Sequence, residues 1–347
     1  MASKVLYFPY ISVPQTAWFT RILLYWDQVG SIVPSAYAAD LNRLSPFMRD
    51  LVAEGLVRPV VPGDYEFELY DAMTPFFRFI DTDPEILQRA AMGLGSTPAG
   101  RGKQEPGTVF EIHGEKLGRE IGDQLVARGL ARRGEEPAWF EVESRTASAF
   151  MAHLTATLGA LEDIEMDPIT DDMSHLAPFW GGRDEHPSLS LAGDLRLSVL
   201  ERVLPGPTES VPVAELVKFR NKHGERLSSF RRTIESEILD LALVDDGDIR
   251  AAKLRLFHEQ LEDDIKGLEA SMRARRWPRL VFGALCGVVS AAIPVAASAV
   301  TGALPIAAAG IPSLAAAIYS AREAAGSRKD FLRHPLAYAA LARGQLS

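Results

Sequence analysis

Lys4-Val-Leu-Tyr-Phe-Pro-Tyr10 is the segment on which the fold turns. Lys4–Phe8 is rich in Val, Leu and aromatic residues and is bounded by Pro9 and Pro14, the composition and punctuation of a short strand. Downstream, Gln15–Val29 carries Trp18, Ile22, Tyr25 or Trp26, and Val29 at helical spacing. Ser31-Ile-Val-Pro34 reads as a second strand. Asp40–Glu54 reads as a helix with Leu41, Leu44, Met48, Leu51 and Val52 on one side and Gly55 beyond its end, and Val57–Val61 as a third strand. Strand, helix, strand, helix, strand predicts parallel pairing through crossover connections.

Beyond this the pattern becomes more helical. Short helices are expected at Asp71–Ile80 and Pro84–Met92, and a glycine-rich loop at Gly93–Gly107. Strands are expected at Thr108–His113 and Ala138–Val142, and helices at Glu115–Arg128 and Ser144–Leu161. Pro205-Gly-Pro207 is the best sequence boundary. From Val213, the residues Leu216, Phe219, His223, Leu227, Phe230, Ile234, Ile238 and Leu241 step by three or four, the mark of a long amphipathic helix. Asp245-Asp-Gly-Asp248 breaks it and offers an N-cap. Leu254, Phe257, Leu261, Ile265, Leu268 and Met272 repeat the pattern, so the two helices are expected to form an antiparallel hairpin.

The net charge of −9 conceals a division. Residues 1–269 carry a net −16, and residues 270–347 carry +7. An acidic body argues against a nucleic-acid partner, which is bound by neutralising phosphates. The start of the chain lacks the long apolar core of a secretory signal, which predicts a cytoplasmic protein. One cysteine, Cys286, excludes an intrachain disulfide and a cysteine-based zinc site.

Leu280–Ala321 is a run of 42 residues without Asp, Glu, Lys, Arg or His. Within it, Thr301-Gly302 separates arms of 21 residues (280–300) and 17 residues (303–319), long enough at about 1.5 Å per residue to approach a hydrocarbon core of about 30 Å. Alanine and the prolines Pro294, Pro305 and Pro312 weaken its apolarity, so a preformed hairpin inserts better than either arm alone. Gly283 and Gly287 give the spacing that lets helices approach closely. Arg273, Arg275, Arg276 and Arg279 precede the run. Arg322, Arg328, Lys329 and Arg333 follow it. Cations on both sides suit two crossings with both ends in the cytoplasm, or a peripheral seat on the anionic inner membrane. The same run also suits a packed helical pair inside a soluble protein.

Two constellations can carry chemistry. Asp167, Asp171, Asp172 and His175 form the densest set of metal-ligand types; carboxylates suit Mg or Mn and an imidazole can complete the set. The same segment also reads as an N-capped helix start. Glu111-Ile-His113-Gly-Glu115-Lys116 joins a strand end to a helix start, where His113 is either a general base or part of a capping cluster. His153, on a helical face with Phe150, Leu154 and Leu158, reads as a core-edge histidine. No Gly-x-Ser-x-Gly, P-loop, HExxH or kinase signature is present, and no cofactor is implied.

Tyr7-Phe-Pro-Tyr10, Tyr25-Trp-Asp27, Ile32-Val-Pro34, Ile112-His-x-x-Lys116, Phe150-Met-Ala-His-Leu154, Pro168-Ile-Thr-Asp171 and the Phe219-Arg…Phe230-Arg pattern together resemble a bacterial family known only as a domain of unknown function. The likeness runs along most of the chain. It implies a bacterial cytoplasmic protein and no particular catalysis.

The expected fold is α+β and helix-rich. It has a small mixed or parallel sheet domain (1–205), a long antiparallel helical hairpin (206–278) and an apolar helical hairpin with basic flanks (279–347). The preferred function is non-enzymatic: a membrane-associating stress or defence effector with a sensing N-terminal domain. Its partner would be an anionic membrane surface or another protein. The alternatives are a soluble scaffold or adaptor, whose apolar hairpin is a core or homo-oligomer contact, and a metal-dependent hydrolase.

Overall fold

The structure is a computed structural model that describes residues 4–92, 94, 109–171, 187–207, 211–274 and 328–346. The described chain forms two compact units. One comprises Met1–Pro187 and Gly206–Asn221, the other Ser188–Pro205 and Lys222–Ser347.

The first unit is built on a four-stranded parallel sheet of β1 (Lys4–Tyr7), β2 (Gln28–Ile32), β3 (Val57–Val60) and β7 (Asp167–Ile169), in the order β3-β2-β1-β7. The expected parallel pairing is present: Val5 lies opposite Val29, and Val29 opposite Val57. β2 begins three residues earlier than the sequence suggests, because α1 (Ala17–Tyr25) ends at Trp26, whose N–H closes on Ile22 O. A Cβ on Gly30 in β2 would come within 2.5 Å of Met166 Sδ and 2.8 Å of Leu6 Cδ1, so the ends of both side chains would have to shift to admit one.

Successive strand residues face opposite sides of a sheet. Tyr7 meets the rings of Trp18 and Phe19 in α1. Leu6 and Phe8 join a cluster with α8 (Ser144–Gly159). α8 is buried almost all round, as a helix between two layers must be. It also packs on a three-stranded antiparallel sheet, β4 (Val109–His113), β6 (Trp139–Glu143) and β5 (Ala131–Arg133), in the order β4-β6-β5. Glu143 caps α8 by accepting from the N–H groups of Arg145 and Thr146.

The helix expected at Asp40–Glu54 is a short 3-10 turn, Leu41–Arg43, followed by α3 (Pro46–Ala53). Before both, α2 (Ser35–Ala39) follows β2. After β3, a 3-10 turn at Pro62–Tyr65 leads to α4 (Glu66–Ile80) and α5 (Pro84–Met92). Ser45 caps α3, and Pro46 takes its first position, where a missing N–H costs nothing. The helix expected at Glu115–Arg128 is two: α6 (Gly114–Leu117) and α7 (Arg119–Ala127). Gly118, at φ +76°, breaks them in a left-handed region that favours glycine. The segment Asp167–Ile169 is a strand rather than a helix start, because it completes the edge of the parallel sheet beside β1.

The second unit is helical: α9 (Pro187–Val203, from Ser188), α10 (Val213–Ala242, from Lys222), α11 (Gly247–Ala274), α12 (Arg328–Arg333) and α13 (Ala337–Leu346). Every apolar position that defines the period of α10, and His223 with them, is buried. Asp246 Oδ1 caps α11 through the N–H groups of Asp248 and Ile249. α13 is buried from Ala337 to Ala342; it packs on α11, and Tyr338 stacks on Phe230 of α10 at 5.7 Å. Arg343 donates to the carbonyls of Val203 and Arg202 at the end of α9, and Arg196 makes a two-pronged ion pair with Glu235. Among the described residues no helix is long and apolar enough to cross a membrane. The run 280–321 lies outside them.

Candidate functional site

The strand order places a reversal at β1. The chain lays β2 and then β3 on one side of β1 and, after the antiparallel sheet and α8, returns as β7 on the other. Open parallel sheets bind ligands beyond the carboxyl ends of their strands at such a point. Here four segments meet.

Beyond β1, Phe8 N donates to Ile169 O at 3.2 Å, joining the ends of β1 and β7. The Tyr7 hydroxyl donates to Asp171 Oδ1 at 3.0 Å. Ser31 Oγ, at the end of β2, donates to Ile11 O at 2.9 Å and holds the loop that follows β1. Tyr10, half exposed, rests against Phe110 of β4. Past β2, Ser35 N donates to Glu115 Oε2 at 2.5 Å. Tyr37 sits edge-on to His113, with the Arg43 guanidinium 5.3 Å from its ring centre.

His113 ends β4 and caps α6: its Nδ1 accepts from Glu115 N at 3.3 Å, which leaves the ring proton on Nε2. Trp139, its register partner on β6, approaches from the other side at 5.1 Å. Burial lowers the His113 pKa most; Lys116 and Arg43 lower it further, against the pull of Glu115. The ring is therefore held neutral. Lys116, one turn on, is buried, and its Nζ donates to Pro9 O at 2.9 Å. Burial alone pulls its pKa down to about 7.

The capping geometry expected of His113 is present, and Lys116, quoted in the same segment without a role, is the group whose burial the sequence did not reveal. Spacing could not reveal it, since the Lys116 amine reaches a carbonyl 107 positions away. Two further quoted segments also meet: Arg220, beside Phe219, donates to the carbonyls of Leu23 in the last turn of α1 and of Asp27 just beyond it. His153 donates through Nε2 to Ala72 O at 2.6 Å, a satisfied core histidine.

The proposed metal set is half in view. Asp167 and Asp171 are exposed at β7 and just beyond it, whereas Asp172 and His175 lie outside the described residues. Among the described residues no group of three or more His, Cys, Asp or Glu side chains is arranged to hold a metal. Of the basic flank, Arg273 is on the last turn of α11, and Arg328 and Lys329 open α12. Arg275, Arg276, Arg279, Gly283, Gly287 and Arg322 lie outside the described residues.

A family of unknown function, DUF6236, matches residues 125–347, well over half of the chain. The chain belongs to this family. The DUF6236 match takes in α8, β7 with Asp171, and the whole second unit; β1, β2, β4 and α6 precede it. No curated protein matches the chain, and no solved structure does.

Proposed function

We propose that the first unit is a small-molecule-binding module whose site is the carboxyl edge of the parallel sheet. One observation carries the reading: loops after β1, β2, β4 and β7 converge where the strand order reverses, and they bring amine, imidazole, guanidinium, carboxylate and aromatic groups to one place. Such a mixture of a few polar groups among rings is what orients a small ligand. The test is thermal unfolding of the full chain against a panel of metabolites. At least one chemical class should raise the midpoint, and the gain should shrink in Arg43→Ala and Asp171→Asn. Stabilisation indifferent to both substitutions would sink the assignment.

A second reading concerns the other unit. We propose that residues 280–321 associate with an anionic membrane surface, so that the protein couples ligand sensing to a lipid boundary. What supports it is the uncharged run with cations on either side, together with the anchoring of both its flanks in one unit by α11 and α13. A segment that leaves and rejoins the same folded unit crosses a bilayer an even number of times or not at all. Flotation with phosphatidylglycerol vesicles should carry the full chain upward, and a chain with 280–321 replaced by a short Gly-Ser linker should stay below. Equal behaviour of the two chains would remove the membrane reading. Loss of oligomers on the same deletion, seen by light scattering, would favour the adaptor reading.

A further inference from the structure

Among the described residues, the lysine and carboxylate side chains under 9% exposed are Glu143, Glu235 and Lys116, and only the first two have a charged partner. Glu143 receives Arg89, two backbone N–H groups and the Thr146 hydroxyl. Glu235 receives both prongs of Arg196. Lys116, only 4% exposed, has three potential donors, and among the described residues one acceptor takes one of them: the carbonyl of Pro9. A lysine is almost never buried so fully without a counter-ion, because desolvating an ammonium is expensive.

Among the described residues no carboxylate forms an ion pair with Lys116. Glu115, on the same short helix, is spent on the Ser35 N–H. The elements packed on α6 are β4, α7 and the Pro62–Tyr65 turn. They carry Glu111, His113, Arg119, Glu120, Asp123, Asp64 and Tyr65, none of which pairs with the amine; Asp123 is taken by Arg133, and the Tyr65 hydroxyl donates to Asp163. His113 is coupled to it only as a neutral neighbour whose own protonation it opposes.

We propose that Lys116 is the anion-receiving group of the carboxyl edge, and that the ligand of this site carries a carboxylate or phosphate group that takes the donors the described residues leave unspent. The proposal rests on the small-molecule reading given above. It places an anion at the end of β1, beside the Pro9 carbonyl. Because burial lowers the Lys116 pKa to about 7, an arriving anion re-protonates the amine. Binding is then coupled to uptake of one proton, and affinity falls by about tenfold per pH unit on the alkaline side of 7.

The experiment is a saturable thermal shift on the full chain between about pH 7 and 9. Sulfate, which keeps its charge over that range, stands in for phosphate, and succinate provides the carboxylate arm. One of the two should give a saturable shift, which identifies the source. Its half-saturation concentration should rise close to tenfold from about pH 7.5 to 8.5. Lys116→Met should abolish the saturable part, leaving only the general salting effect. Lys116→Arg should keep it without the pH dependence. A half-saturation flat in pH, or a saturable shift surviving in Lys116→Met, overturns the anion proposal. If that variant does not fold by circular dichroism, the pH profile of the unaltered chain decides. If neither anion binds but a neutral metabolite does, the anion proposal falls and the small-molecule reading stands. If nothing binds, both fall.

Discussion

Tyr7 is wholly buried, yet its hydroxyl reaches a carboxylate at the surface, so one side chain fastens the end of β1 to the residue that follows β7. Tyr7→Phe should cost about 0.5–1.5 kcal/mol, the usual net worth of one hydrogen bond, measured by urea unfolding. Lys116 makes a different statement. Its folded pKa of about 7 lies below the usual lysine value of about 10.4, so between those limits the unfolded chain holds more proton than the folded one. Stability therefore rises with pH across that window and is lost as pH falls through 7. The difference in urea midpoint between the unaltered chain and Lys116→Met should follow this slope, and parallel profiles would contradict the burial. His223 does the same on the acid side: burial first, then Arg226 and Lys222, lower its pKa to about 4. Stability should fall as pH drops from about 6.5 toward 4, and His223→Gln should flatten that fall.

At the scale of elements, tolerance to a single methyl group separates helices with open glycines from those with crowded ones. A Cβ on Gly159 would lie 2.1 Å from Met166 O, in the backbone that leads into β7. Gly159→Ala should cost about 1–3 kcal/mol by forcing that backbone to move. Gly224, inside α10, has open space around it, and Gly224→Ala should stabilise by about 0.5–1 kcal/mol through helix propensity. Thermal unfolding of the two variants, measured side by side, should show opposite signs. The same contrast explains what could be read in advance. α10 was legible because a buried stripe recurs every three or four residues over its whole length. The split at Gly118 was not, because a glycine inside a helical pattern leaves the backbone angle undetermined. β7 was hidden because three residues, one of them Pro168, carry no alternation; only their place beside β1 makes them a strand. The candidate site was legible as its separate pieces, the Tyr7, Ile32, Ile112 and Pro168 segments. It was not legible as one place, since burial of Lys116 depends on contacts across the sheet.

At the scale of the molecule, the helical unit depends on residues far apart in the chain. α13 supplies its most enclosed surface, and Arg343 ties it to the end of α9. Deleting 336–347 should remove the helical unit's cooperative transition while leaving that of the sheet unit, in differential scanning calorimetry. A single undiminished transition at the original temperature would show that α13 is dispensable. Phe230→Ala should act in the same direction by about 3–5 kcal/mol, since it empties the position against which Tyr338 stacks.

The burial of α13 carries a consequence for synthesis. The polypeptide is made from its amino end, so residues 280–321 emerge from the ribosome ahead of the piece that closes the helices around α11. Every nascent copy must pass through an interval in which its greasiest stretch is free and the helical unit is still unfinished. Whichever meets that stretch first, a chaperone, a lipid surface or the late-arriving helix, has the earliest chance to set its fate.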